Sequence, residues 1–335
     1  MKTIVSIISR RDSTLVKGIL ILLIILGHNG ILMDKCDGMT PNQFNNYLYS
    51  FHVYLFFMLD FLYDVPQLTS FRFKHYFRKI YKPYFILILI LLVLRLFQNI
   101  KQIDFYEVGM AVITANQYAL KDNLGAYFPW FLPSLFTMLC LRDWILNNKK
   151  RWVKFLVFGL SLGFLFIKIF CGTHLIGNCD FFICGSYVAI TYFSLGLLGR
   201  ILYEKMLTYS LLFRILIIIL FILSTIYYFN ASQDHLFYFN AYFILPLSSF
   251  LSLLTIVQYI KDNKVVDFFL YIGKYSLPIY MIHVFIYNIV LIACKMFIND
   301  LTFGVGLLVL FLTLLFSLLI ISIVIKIGCY NLVFK

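Results

Sequence analysis

Charge is what this chain has least of. Only 13% of its 335 residues are Asp, Glu, Lys or Arg, about half the share a water-facing surface carries. Hydrophobic residues make up 62% of it and the mean hydropathy is +0.91, more apolar side chain than one compact core can bury. These figures exclude a soluble enzyme, a nucleic-acid-binding domain and a disordered chain, and leave a helical protein embedded in a lipid bilayer. None of the seven cysteines stands in CxxC spacing, so no metal centre or redox pair is expected. Cys171 and Cys179 flank a short polar stretch; they can pair in an oxidising compartment and otherwise read as free thiols. No small-x-small cleavage site follows the first apolar run, which reads as a permanent helix rather than a signal peptide. Repeats, low-complexity linkers and polar segments long enough for a second domain are also missing. Residues 1–335 therefore read as one membrane domain, and the longest polar gap, about 100–125, holds at most an interfacial helix.

Crossing about 30 Å of hydrocarbon takes roughly 20 apolar residues. Ten runs qualify, near 15–33, 47–64, 83–99, 126–146, 152–170, 181–203, 209–229, 238–260, 275–297 and 303–327. The fold expected is all-α, a polytopic bundle of about ten transmembrane helices. With the N-terminus cytoplasmic, 22 of the 28 Lys and Arg fall on the inner side. The asymmetry supports both termini inside and explains most of the net charge of +13 without an anionic partner.

An ionisable side chain within hydrocarbon costs several kcal/mol on insertion scales, which makes each one a site hypothesis. In the first run His28 follows Lys17 by eleven residues. On a helix the two stand about 20° apart in azimuth and about 16.5 Å apart along the axis. Taken alone, His28 is equally a buried histidine satisfied by a carbonyl, and Lys17 an interfacial anchor. His52 lies in the second run and His283 in the ninth, about 13.5 Å beyond Lys274. Ser276, Tyr280, His283 and Tyr287 follow i, i+4, i+7, i+11, a polar stripe on one face. Three imidazoles at similar depth read best as lining one aqueous cavity. The loop expected before the third run carries Arg72, Lys74, Arg78, Lys79 and Lys82. Lys74, Arg78 and Lys82 would share one edge of a helix. Positive-inside statistics and a polyphosphate ligand account for this cluster equally well.

Five segments in order resemble acyltransferase family 3, the integral membrane O-acyltransferases. They are Lys17-Gly18-Ile19 with Leu26-Gly27-His28, Ser50-Phe51-His52 with Leu55-Phe56-Phe57, Arg78-Lys79 with Pro83-Tyr84, Pro129-Trp130-Phe131-Leu132-Pro133-Ser134-Leu135-Phe136, and Tyr271-Ile272-Gly273-Lys274-Tyr275-Ser276-Leu277-Pro278-Ile279-Tyr280 with His283. The resemblance covers about residues 14–290. Two departures stand out. Lys17 replaces the family's usual Arg, and Phe57-Met58-Leu59-Asp60 lacks its Ser-Gly. Asp60 then either pairs with a nearby cation or histidine, or marks altered activity. No esterase-like domain is appended.

The resemblance implies transfer of an acyl group, most often acetyl, from cytoplasmic acyl-CoA to a hydroxyl of a cell-surface or lipid-linked saccharide, in a bacterial cytoplasmic membrane. Acetyl-CoA is then a donor substrate, and no cofactor is permanently bound. On this reading His28 is the base, with His283 or Tyr280 orienting it or donating to the oxyanion. Lys17, Arg78, Lys79 and Lys82 meet acyl-CoA, while His52, Trp130 and Ser276 stand on the acceptor side. The alternative is an exporter of a polysaccharide or lipid-linked oligosaccharide, since transporters also place polar residues at mid-membrane.

Overall fold

A computed structural model describes residues 7–34, 41–63, 69–99, 104–126, 128–171, 185–208, 211–298, 300 and 302–334. Cys179 and the stretch around it lie outside these residues. Among the described residues every regular element is helical. Six helices among the described residues are long and apolar enough to cross a membrane: Ser70–Phe97, Arg151–Cys171, Leu211–Asn230, His235–Tyr259, Ser276–Phe297 and Phe303–Lys326. Helices are the expected solution, because a backbone in hydrocarbon has to satisfy its own N–H and C=O groups. Cys140, Cys171, Cys294 and Cys329 are free thiols.

The chain forms two compact units, described separately. The first comprises residues 60–198 with the C-terminal helix Tyr330–Phe334; the second comprises Ile7–Leu59 and Gly199–Cys329.

The second unit opens with α1 (Arg10–Gly27), capped by Ser9, whose hydroxyl accepts from Asp12 N–H. Next come the short α2 (Gly30–Asp34), then α3 (Pro41–Tyr49) and α4 (His52–Asp60), which runs to the unit's edge. The expected first span, 15–33, thus begins earlier and stops at Gly27. The expected second span, 47–64, is divided at Ser50 and Phe51. Of the later helices, α12 (Leu211–Asn230) packs against α14 (Leu245–Tyr259), and α15 (Lys264–Lys274) against α1; α16 (Ser276–Phe297) packs against both α1 and α17 (Phe303–Lys326). Ile31, Ile286, Val290, Cys294 and Val309 form an apolar cluster where α2, α16 and α17 meet. Between α12 and α14, a short α13 (His235–Phe239) leads into a π turn at Asn240–Ile244. Asn240 Nδ2 donates to the Ser224 carbonyl at 2.9 Å and its Oδ1 accepts from the Ser224 hydroxyl at 2.6 Å. Such interhelical polar pairs take the place of the hydrophobic driving force that lipid removes.

In the first unit the basic stretch is not a loop. It continues as one helical rod: α5 (Ser70–Tyr76), a π turn (Phe77–Tyr81) and α6 (Lys82–Asn99). The polar gap holds two short helices, α7 (Phe105–Thr114) and α8 (Gln117–Leu124), rather than one. They are followed by α9 (Phe131–Asn147) and α10 (Arg151–Cys171), and the unit runs on into the first half of α11 (Ser186–Thr208). Arg142, one of the 22 Lys and Arg assigned by sequence to the inner side, is only 3% exposed. Its guanidinium donates to Asp143 Oδ1 at 2.9 Å and 2.6 Å, and also to the Asp60 backbone carbonyl. The Tyr76 hydroxyl donates to the other Asp143 oxygen at 2.5 Å. A buried charge survives only when paired and hydrogen-bonded, and this one is.

Candidate functional site

The site in the second unit is built from the backbone outward. Gly18 of α1 and Gly273 of α15 face each other. A Cβ on Gly18 would stand 2.1 Å from the Phe269 carbonyl oxygen, and one on Gly273 would stand 1.9 Å from that of Thr14. Neither distance is possible for a real side chain, so α1 and α15 touch backbone to backbone, as small residues permit in membrane helices. The close approach fixes where α16 begins, because only Tyr275 separates it from α15. His283, two turns into α16, is thereby placed relative to α1.

His28 is the residue that closes α1. Its N–H still bonds the Ile24 carbonyl at 3.1 Å, but the helix does not continue through it. The break is pinned by Asn29, fully buried, whose Nδ2 donates to the Gly306 carbonyl at 2.8 Å and whose Oδ1 accepts from Leu32 N–H at 3.3 Å. Tyr287, last member of the α16 stripe, accepts from Gly30 N–H at 3.0 Å. Broken helices at depth are tolerated where the freed backbone groups meet protein or a cavity. Here they meet protein.

The His28 and His283 rings are 5.1 Å apart, centroid to centroid, inclined at 47°. The Tyr49 hydroxyl is hydrogen-bonded with the His28 ring, 3.1 Å from Nδ1. Tyr49 also stacks edge-on against His52 at 4.9 Å. Tyr280 lies 5.9 Å from His283. Thus α1, α3, α4 and α16 bring three imidazoles and two phenols together. His52 and His283 are completely buried and Tyr280 is 5% exposed.

Two of the three imidazoles have their tautomer set by a carbonyl one turn back along the chain. His283 Nδ1 lies 2.7 Å from the Tyr280 carbonyl and 3.2 Å from that of Ile279. His52 Nδ1 donates to the Leu48 carbonyl, which also accepts from Phe51 N–H where α3 and α4 divide. A carbonyl accepts only from a protonated nitrogen, so in each neutral ring Nε2 carries the lone pair.

Of the other sequence-derived candidates, Ser276 is the first residue of α16 and Lys17 lies half-buried on α1. Arg78, Lys79, Lys82 and Trp130 belong to the first unit. There Arg78 and Lys79 are exposed on the π turn and Lys82 is half-buried at the start of α6, while Trp130 precedes α9. The structure thus groups His28, His52, Tyr280 and His283 within one unit and carries the basic row in the other. Asp60 ends α4, and its backbone carbonyl serves Arg142. Sequence reasoning missed Tyr49. The signal was present: Tyr49 precedes His52 by three residues, one helical turn on the same face. Among the described residues no three His, Cys, Asp or Glu side chains are placed to hold a metal ion.

A family model described as an acyltransferase domain matches residues 11–326. The chain belongs to acyltransferase family 3. The match runs through both units and spans all five segments on which the resemblance was read. No curated protein matches the chain, and no solved structure does. With six apolar helices of spanning length and this membership, the protein is a multi-pass membrane acyltransferase.

Proposed function

We propose that this acyltransferase moves an acyl group, acetyl in the first instance, from cytoplasmic acyl-CoA to a hydroxyl of a surface or lipid-linked saccharide. The observation that carries the reading is the pair of imidazoles from α1 and α16, 5.1 Å apart, with a tyrosine hydroxyl on one of them. A sugar hydroxyl is a poor nucleophile until a positioned base takes its proton, and neutral imidazole is suited to that near pH 7. His28 is the base. The acceptor oxygen attacks the thioester carbonyl as His28 takes its proton, and the tetrahedral intermediate then expels the CoA thiolate, which recovers a proton from the imidazolium. His283, its Nδ1 proton held by the Tyr280 carbonyl, orients the pair, and Tyr280 donates to the developing oxyanion. His52, Trp130 and Ser276 stand toward the acceptor.

Arg78, Lys79 and Lys82 hold the CoA phosphates, with Arg supplying bidentate contacts and Lys mobile point charges. Lys17 meets the thioester end or a phosphate. Residues 1–335 act as one domain in this scheme, with about ten spans, both termini cytoplasmic, in a bacterial cytoplasmic membrane. The exporter alternative has no observation in its favour.

The test is covalent. Purified protein in proteoliposomes is given acetyl-CoA with and without a saccharide fraction from cells lacking the chain. Release of free CoA that depends on the saccharide, together with acetylated product by mass spectrometry, supports the reading. Saccharide crossing the bilayer without acetylation contradicts it.

A further inference from the structure

Beside the imidazole pair lies a second group of polar atoms. Asn45, Tyr49 and His52 stand at i, i+4 and i+7 on α3 and the start of α4, one helical face. All three turn toward Gly27, the residue before His28. The point where a Cβ on Gly27 would stand is 3.5 Å from Tyr49 Cε2, 3.8 Å from His52 Cε1 and 4.0 Å from Asn45 Oδ1. A methyl fits there in ordinary contact; with glycine the space is left open.

Two buried atoms of this cradle, Asn45 Oδ1 and His52 Nε2, have no hydrogen-bond partner among the described residues. Buried polar atoms are nearly always satisfied, and each exception calls for an explanation. Both exceptions here are of one kind. A side-chain carbonyl oxygen only accepts. His52 gives its Nδ1 proton to the Leu48 carbonyl, so Nε2 of the neutral ring also only accepts. Whatever completes the cradle therefore brings hydrogen-bond donors. An acyl chain and a thioester bring none, and an ionised phosphate or carboxylate brings none. Hydroxyl groups do.

We propose that Asn45 Oδ1 and His52 Nε2 form an acceptor subsite that receives hydroxyls of the saccharide next to the one being acylated, with the missing side chain of Gly27 leaving a methyl-sized gap through which a hydroxyl approaches. This rests on the saccharide-acceptor reading above. It adds Asn45 and Gly27 to the acceptor side and states the bonding: the protein accepts and the sugar donates.

The test uses full-length protein in proteoliposomes, acetyl-CoA, and the saccharide fraction from cells lacking the chain. For Asn45→Leu the saccharide concentration giving half-maximal CoA release is expected to rise about 10-fold, the worth of one such hydrogen bond. Gly27→Ala, whose added methyl meets its neighbours at 3.5–4.0 Å, is expected to do the same by filling the space. Asn45→Asp, which keeps an acceptor oxygen but buries a carboxylate, is expected to weaken saccharide dependence less than Asn45→Leu. The acetyl-CoA concentration dependence is unchanged in all three. Should Asn45→Leu not accumulate as folded protein, Gly27→Ala decides. Saccharide dependence unchanged in the variants, with the parent responding normally, overturns the subsite and leaves a cradle that holds water. A parent that shows no saccharide-dependent release overturns the functional reading itself, and the subsite with it.

Discussion

Two of the buried polar sets among the described residues are built on opposite plans. In the first unit Arg142, Asp143, Tyr76 and the Asp60 carbonyl form a charged set in which the Arg142–Asp143 pair sits 2.6 Å apart at 3% and 0% side-chain exposure. In the second unit His28, His52, His283 and Tyr49 carry no permanent charge. His52 and His283 are turned by carbonyls one turn back along the chain, and at least one nitrogen, His52 Nε2, is left without a partner among the described residues. A charged set closed on itself stabilises one packing of helices and has nothing to offer a ligand. A neutral set with lone pairs to spare gives up some stability and keeps them for chemistry.

Substitutions can break this contrast. The largest effect is expected from His28→Ala, which removes the base of the imidazole pair. Transfer, read as saccharide-dependent CoA release, falls by about 10²–10⁴-fold, while the detergent-solubilised protein keeps its unfolding midpoint. Asp143→Asn is expected to act the other way round. It strands a buried guanidinium at about 3–5 kcal/mol, seen as loss of folded protein, and replacing Arg142 and Asp143 together by Met and Leu recovers much of it. If Asp143→Asn folds normally and only transfer suffers, the closed set is functional after all. Gly18→Ala forces apart two backbones in contact and is expected to cost about 1–3 kcal/mol, measured by thermal unfolding. Transfer would drop with it, since the register of α16 against α1 goes too. The smallest effect belongs to Tyr49→Phe, which removes one hydrogen bond to His28 and should slow transfer about 3–10-fold with no change in acetyl-CoA dependence.

Much of the fold was legible because lipid makes composition decisive. A chain this poor in charge has to be helical and membrane-embedded, and the long runs at 152–170, 209–229, 275–297 and 303–327 match helices closely. The breaks were not legible. The halt of α1 at His28 depends on a tertiary partner, Asn29 on the Gly306 carbonyl, and the division of α3 from α4 on a local one, His52 on the Leu48 carbonyl; hydropathy senses neither. The basic stretch was misread as a loop because its charges mask a helix continuous with α6. The enclosure of Arg142 by Asp143 and Tyr76 was not legible, because counting inner-side cations says nothing of which are buried. Within the site, the histidines were found because each is costly in hydrocarbon. Tyr49 and Asn45 were passed over because a Tyr or Asn near the end of a span is unremarkable until its neighbours are known. Gly18 and Gly273 were read only as parts of motifs, and the contact between α1 and α15 supplies their physical cause.

The question underneath is whether His28 and His283 act as one unit. A double-mutant cycle with His28→Ala and His283→Ala, read by saccharide-dependent CoA release from proteoliposomes at equal protein loading, answers it. Groups that share a step are strongly non-additive, so the double variant is expected to be scarcely slower than the worse single one. Two losses that simply multiply would mean that the rings serve separate steps, and the single-site reading would be wrong.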